Sequence, residues 1–173
     1  MAGRLVVGVD LLGPGAVTRV DISSGPRIDL ADERPVGEIG SVPELQMTAV
    51  ARLAGLAATE ATWGSEPALR AVIADLLQIV DLVDESIART GDGLVRVDHV
   101  VAVRAWRDSG VAEDLANARR ARFEDIARTA WGMVASQLDI MHEIAQAILR
   151  DGTVDPHDVW SQLLDRARSR EID

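Results

Sequence analysis

The sequence predicts an α+β domain that is mostly α, a bundle of about five helices with a small N-terminal β element. Two observations predict this division. Seven glycines and three prolines fall within residues 1–42, separated by short β-branched runs, whereas residues 43–173 are rich in alanine and leucine, with apolar residues three and four positions apart. Glycine and proline mark turns, and the second spacing is the period of an amphipathic helix. We therefore expect a glycine-rich segment of strands and turns followed by a helical bundle.

The first strand is expected where apolar and polar residues begin to alternate. Residues 17–22 alternate in this way and follow Gly13-Pro14-Gly15, so we predict a strand entered from a turn. Residues 5–9 form a short apolar run that could pair with this strand as a hairpin. Five residues are too few for the period to decide between strand and helix.

Two helices are predicted in the first half of the bundle. Ser41, followed three positions later by Glu44, resembles a capping arrangement for a helix that runs to about Ala61. A second helix is predicted from residues 66–67, and its apolar residues continue to Val83. Its apolar face is broad enough to be deeply buried.

The second half of the bundle begins after a Gly-Asp-Gly break at residues 91–93. Asp98 is predicted to open a short helix. A longer helix follows from about Ala112, and its stripe of apolar residues extends over more than thirty residues, either unbroken or with a break near Gly132. Gly152 is expected to end this helix as a left-handed cap.

The last helix is predicted by its own start signal. Asp155 is a capping residue and Pro156 suits the first helical position. The tryptophans fall at helix ends or on apolar faces, so we expect them to be mainly core, with one or two contacting a partner: Trp63, Trp106, Trp131 and Trp160.

Length and composition limit the class of protein. The 173 residues fit a single domain (residues 1–173). The composition, with 47% hydrophobic and 27% charged residues, is typical of a folded globular protein. The net charge of −10 makes the chain acidic and opposes binding to a phosphate backbone or an anionic membrane, so we expect neither nucleic acid nor membrane as a partner. The sequence has no apolar run of the roughly 20 residues needed to span a bilayer, so we expect a cytoplasmic protein.

The absence of two residue types excludes several chemistries. Without cysteine the chain has no disulfide, no thiolate nucleophile and no cysteine-ligated zinc. Without lysine it has no P-loop of the ATPase type. All eighteen basic residues are arginine, a composition that suggests a high-GC bacterial genome.

Three segments carry a family resemblance. Residues 54–64 read Ala-Gly-Leu-Ala-Ala-Thr-Glu-Ala-Thr-Trp-Gly. They resemble the Ala-Gly-x-Ala-Ala-Glu-Glu-x-x-Phe-Gly segment in the peptidase domain of FtsH-type ATP-dependent zinc metallopeptidases. Residues 74–76 resemble the family's Asp-Leu or Asp-Ile, which makes Asp75 the match to the third zinc ligand, and residues 148–159 resemble its closing segment. The resemblance implies an FtsH-like peptidase domain without the ATPase module.

The chain departs from this family at its N-terminus. Residues 2–9 can be laid over the family's Ala-Gly-His-Ala-Val-Val, which implies the end of a helix there. In that register Arg4 replaces the second zinc-binding histidine and Met1 replaces the catalytic glutamate. The chain contains no His-Glu-x-x-His, and a guanidinium has no lone pair for a metal. The resemblance therefore implies a pseudoenzyme: a catalytically inactive module for protein–protein interaction or regulation, whose partner is another protein or a second copy in a homo-oligomer.

The alternative hypothesis is a metallopeptidase-like hydrolase. In one form of this hypothesis, the zinc ligands come from a partner chain, and zinc is a cofactor only in that case. In the second form, the site is an unrecognised cluster of Asp75 with Glu60 and His142. This second form predicts that the three side chains converge in one cleft. Asp75 is otherwise a remnant ligand facing an empty pocket, or a surface carboxylate paired with Arg70 or Arg52.

The histidines give little support to a metal site. His142 begins His-Glu-x-x-Gln, in which glutamine replaces the second imidazole, so a solvated histidine is the simpler interpretation. A site made of His99, His142 and His157 has no ligand spacing to support it.

Overall fold

The helical bundle predicted for this chain is confirmed. The computed structural model describes residues 1–21, 27–30, 36, 39–90 and 111–170. Five α-helices lie in this part of the chain: α1 Ala2–Leu12, α2 Val42–Trp63, α3 Ser65–Thr90, α4 Val111–Asp151 and α5 Pro156–Arg170. The predicted break at residues 91–93 and the short helix from Asp98 lie outside the described residues. None of the described helices is both long enough and apolar enough to cross a bilayer.

The start of the chain differs from the predicted glycine-rich segment of strands and turns. Residues 5–9 are helical, so the hairpin alternative is wrong, and the segment 1–42 does not begin with strands. The apolar side chains Leu5, Val6, Val7 and Val9 are all fully buried. A helix that is apolar on most of its circumference has to lie inside a protein. Helix α1 does so, contacting α2, α4 and α5.

A close approach of backbones joins α1 to α2. A Cβ atom added to Gly3 would lie 2.4 Å from the Cβ of Ala58 and 2.7 Å from the carbonyl oxygen of Ala54. Both distances are shorter than any ordinary contact. Only glycine at this position allows α1 to pack so closely on α2.

Two short strands follow α1. Gly13, with φ of 83°, leads into a turn of 3-10 helix at Pro14–Ala16, and strand β1 (Val17–Asp21) pairs antiparallel with strand β2 (Arg27–Leu30). The strand pair is held to the end of the bundle, because the Thr153 hydroxyl donates a hydrogen bond of 2.7 Å to the carbonyl oxygen of Val20.

The predicted cap of α2 is confirmed. The Ser41 hydroxyl accepts a hydrogen bond of 3.3 Å from the backbone N–H of Glu44, and the Glu44 carboxylate accepts one of 3.1 Å from the N–H of Gly40. The first contact satisfies a donor that the first turn of α2 leaves without a helical partner, and the second ties the residue before the cap to the helix. At the other end, Gly64 takes φ of 87°, and α3 begins at the next residue.

Helices α2 and α3 form an antiparallel hairpin. Arg52 near the middle of α2 donates to the side chain of Gln78 on α3. Arg89, in the last turn of α3, donates to the carbonyl oxygen of Ile39, just before α2 begins. The first contact joins the middles of the two helices, and the second joins the end of α3 to the residues just before α2.

Helix α4 runs without interruption through 41 residues, about 60 Å at 1.5 Å per residue. Of the two alternatives left open by the sequence, the unbroken helix is therefore correct. Gly132 is exposed, whereas Ile126, Ala130 and Val134 on either side of it are buried. Burial of this continuous stripe outweighs the roughly 1 kcal/mol cost of a glycine in a helix.

The predicted connection between α4 and α5 is confirmed. Gly152 takes φ of 78°, and its N–H donates a bond of 2.9 Å to the carbonyl oxygen of Ile148. Asp155 then caps α5 by accepting a bond of 2.9 Å from the N–H of His157, with Pro156 at the first helical position. Both ends are specified by a few neighbouring residues.

Candidate functional site

Arg4 lies in the contact between α1 and α2, beside the segment that carries the main family resemblance. A Cβ atom added to Gly55 would lie 3.7 Å from the Cβ of Arg4, so the arginine packs against the first turn of residues 54–64. Its side chain is half-buried, with the Nε atom shielded from solvent. A guanidinium offers hydrogen-bond donors and no lone pair, so position 4 cannot supply a ligand to a metal.

Glu60 takes part in a contact between helices. Its Oε2 atom accepts a hydrogen bond of 3.0 Å from the indole Nε1 of Trp131, which joins the end of α2 to the middle of α4. Both residues are half-buried. The Glu60 carboxylate therefore has a structural partner that the sequence did not indicate, because the two residues are 71 positions apart.

The other two candidate site residues are placed on α3 and α4. Asp75 lies in α3, but its side chain lies outside the described residues, as does that of Arg70. His142 is exposed on α4, eleven residues beyond Trp131, or about 16 Å along the helix axis. The described contacts thus place Glu60 at the α2–α4 interface and His142 on the outer face of α4, and do not bring them together.

No described residues form a metal site. Within residues 1–21, 27–30, 36, 39–90 and 111–170, no group of three or more histidine, cysteine, aspartate or glutamate side chains is arranged to hold a metal ion. His157 is exposed on α5, where its backbone N–H completes the Asp155 cap. His99 lies outside the described residues.

Polar side chains also connect α4 to its neighbours. Gln137 donates a hydrogen bond of 2.6 Å from Nε2 to Oδ2 of Asp10 at the end of α1. Arg166 of α5 forms an ion pair with Asp139 of α4. The hydrogen bond from Arg166 lowers the pKa of the Asp139 carboxyl, and the same bond raises the pKa of Arg166. These contacts set the positions of α1 and α5 along α4.

A groove of about 500 Å³ lies between α3 and α4. We call it the α3–α4 groove. Its apolar lining is Val80 and Val83 of α3 with Phe123 of α4, and its charged lining is Asp84, Arg119, Arg120 and Glu124. Arg119 forms a two-pronged hydrogen bond to the Asp84 carboxylate, with Nε at 2.5 Å from Oδ1, and so ties the two helices together.

The α3–α4 groove could not be recognised from the sequence. Its apolar residues belong to the helical stripes for which the sequence predicts burial. The one signal was Arg119-Arg120 with Arg122 in a chain of net charge −10, a local concentration of positive charge.

The tryptophans divide between interior and surface. Trp131 and Trp160 are half-buried against the core, whereas Trp63, in the last turn of α2, is 71% exposed. Trp106 lies outside the described residues. An exposed tryptophan is a common energetic centre of protein interfaces.

No family model matches the chain, and a search of curated proteins gave no match.

Proposed function

We propose that this chain is a catalytically inactive FtsH-peptidase-like protein that acts as an interaction or regulatory module. The single observation that carries the proposal is the position of Arg4. In the register of the resemblance, Arg4 occupies the place of a zinc-binding histidine, and it packs against residues 54–64. A metallopeptidase needs three protein donors and a carboxylate that takes a proton from the metal-bound water. A guanidinium in place of an imidazole removes one donor and adds positive charge near the metal.

The charged and aromatic surface supports a role in binding. Trp63 is largely exposed, and Val80 in the α3–α4 groove is 42% exposed. Large apolar side chains at the surface lose water on association and contribute to affinity. Both lie on helices tied into the bundle by side-chain contacts, so they are presented on a rigid framework.

Metal analysis together with a proteolysis assay tests this proposal. The purified chain is analysed for zinc and incubated with casein, with and without added zinc and with a chelator. We expect less than stoichiometric zinc and no chelator-sensitive cleavage. Stoichiometric zinc with cleavage that the chelator abolishes would overturn the proposal.

An Asp75→Asn variant separates the alternatives if cleavage is seen. Loss of both zinc and cleavage in this variant would assign Asp75 as a ligand and establish the hydrolase alternative. If zinc binds only when a partner chain is co-purified, the ligands come from that partner.

A further inference from the structure

Accessible apolar side chains line both sides of the α3–α4 groove. Val80 on α3 is 42% exposed, and Phe123 on α4 is half-buried, whereas Val83 is buried at 3% exposure. Single exposed apolar residues are common on protein surfaces. Here the exposed Val80 and the half-buried Phe123 line the same groove, and the ion pair between Arg119 and Asp84 holds its walls together.

Two charged residues at the groove are directed to solvent. Arg120 and Glu124 are exposed and lie one helical turn apart on the same face of α4. Neither forms a hydrogen bond or an ion pair with another residue in the described part of the chain. The groove therefore presents to solvent the cation of Arg120, followed one helical turn later along α4 by the anion of Glu124.

This order of charges is complementary to itself. If two α4 helices run antiparallel about a two-fold axis at the level of residue 122, Arg120 of each copy lies opposite Glu124 of the other. Arg122 does not enter the contact, because residues two positions apart lie on different faces of a helix. Two ion pairs form, and the apolar residues of both grooves are covered.

We propose that the α3–α4 groove binds a second copy of this chain, so that the two α3–α4 pairs pack as a symmetric four-helix arrangement. The proposal rests on the proposed function and names the partner of the interaction module. An acidic partner would satisfy Arg120 but repel Glu124, and a basic partner would do the reverse. The α4 helix of a second copy carries both charges in the order that the groove requires.

Charge reversal tests the pairing. Sedimentation equilibrium over a concentration series is measured for the whole chain, for Arg120→Glu and for Glu124→Arg. We expect the unmodified chain to dimerise and each variant alone to dimerise at least tenfold more weakly, because each places like charges opposite one another twice. An equimolar mixture of the two variants should dimerise again, since acidic residues at positions 120 and 124 of one copy then face arginines in the other.

The control is Arg168→Glu, a charge reversal at an exposed residue of α5 that does not line the groove. It should dimerise as the unmodified chain does, and circular dichroism should show all variants equally helical. A monomeric unmodified chain, a mixture that does not dimerise, or variants that dimerise normally would each overturn the proposal. Zinc-dependent cleavage would overturn the proposed function, whereas the sedimentation results above overturn only the proposed dimer. The two failures are therefore distinguishable.

Discussion

Individual side chains in this protein carry contacts between helices that are far apart in sequence. Trp131 and Glu60 join α4 to α2, and Gln137 and Asp10 join α4 to α1. Each pair combines a neutral donor with a carboxylate, which makes a stronger hydrogen bond than two neutral groups. The separation of 71 or 127 positions explains why the sequence did not pair them, although Glu60 was singled out as a possible site residue.

The Trp131–Glu60 contact gives the first prediction. Trp131→Phe removes the indole donor, and we expect it to lower the free energy of unfolding by about 1–2 kcal/mol, because a half-buried bond to a carboxylate is lost. Trp63→Phe is the matched control, and it should change stability by less than about 0.5 kcal/mol because Trp63 is exposed. Urea unfolding of both variants measures the difference, and equal effects would show that the hydrogen bond contributes nothing.

At the scale of the helices, two glycines have opposite roles. Gly3 permits the close packing of α1 on α2, whereas Gly132 lies exposed in α4 with open space where a Cβ atom would lie. From the sequence, Gly132 is a position where the helix could break, and Gly3 is one of seven glycines that predict turns. Only the position of each glycine relative to neighbouring helices separates the two cases.

Alanine substitution of these glycines gives the second prediction. Gly3→Ala should destabilise the fold by about 1–3 kcal/mol, because the added methyl group overlaps Ala58 and the backbone of Ala54. Gly132→Ala should stabilise it by up to about 1 kcal/mol through helix propensity alone. Thermal unfolding followed by circular dichroism measures both changes. If the Gly3→Ala variant is as stable as the unmodified chain, α1 can move away from α2 without a loss of stability.

For the whole molecule, the long helix α4 is the common partner of the other helices. It contacts α1, α2 and α3, and the ion pair between Arg166 and Asp139 links it to α5. Asp139 is exposed and Arg166 is half-buried, so the contribution of this ion pair to stability is modest and depends on salt. It nevertheless connects the C-terminal helix to the bundle.

The pH dependence of stability gives the third prediction. The pKa of Asp139 is lowered in the folded protein from 3.8, so its contribution is present above that pH and is lost as the pH falls through the folded value. Asp139→Asn should therefore reduce the melting temperature at neutral pH, and the difference from the unmodified chain should shrink below about pH 3.8. Thermal melts across this range measure it, with Asp165→Asn as the control. A difference that grows on acidification would contradict the sign of this linkage.

Local features were predicted correctly because neighbouring residues determine them. The Ser41 cap, the Gly152 stop and the Asp155 cap each depend on hydrogen bonds spanning two to four residues. The sequence also identified the mostly helical class, since apolar spacing reports which face of a helix is buried. For the candidate site the sequence named Arg4, Glu60, Asp75 and His142 as residues of interest, but it did not show which side chains lie beside them.

Tertiary contacts decided the remaining features. Residues 5–9 suit a strand or a helix equally, and burial on all sides among α2, α4 and α5 selects the helix. The unbroken α4 and the α3–α4 groove likewise depend on packing between distant segments. Local propensities differ by about 1 kcal/mol per residue or less, whereas burial of one large apolar side chain contributes about 1.5–3 kcal/mol, so packing prevails wherever the two disagree.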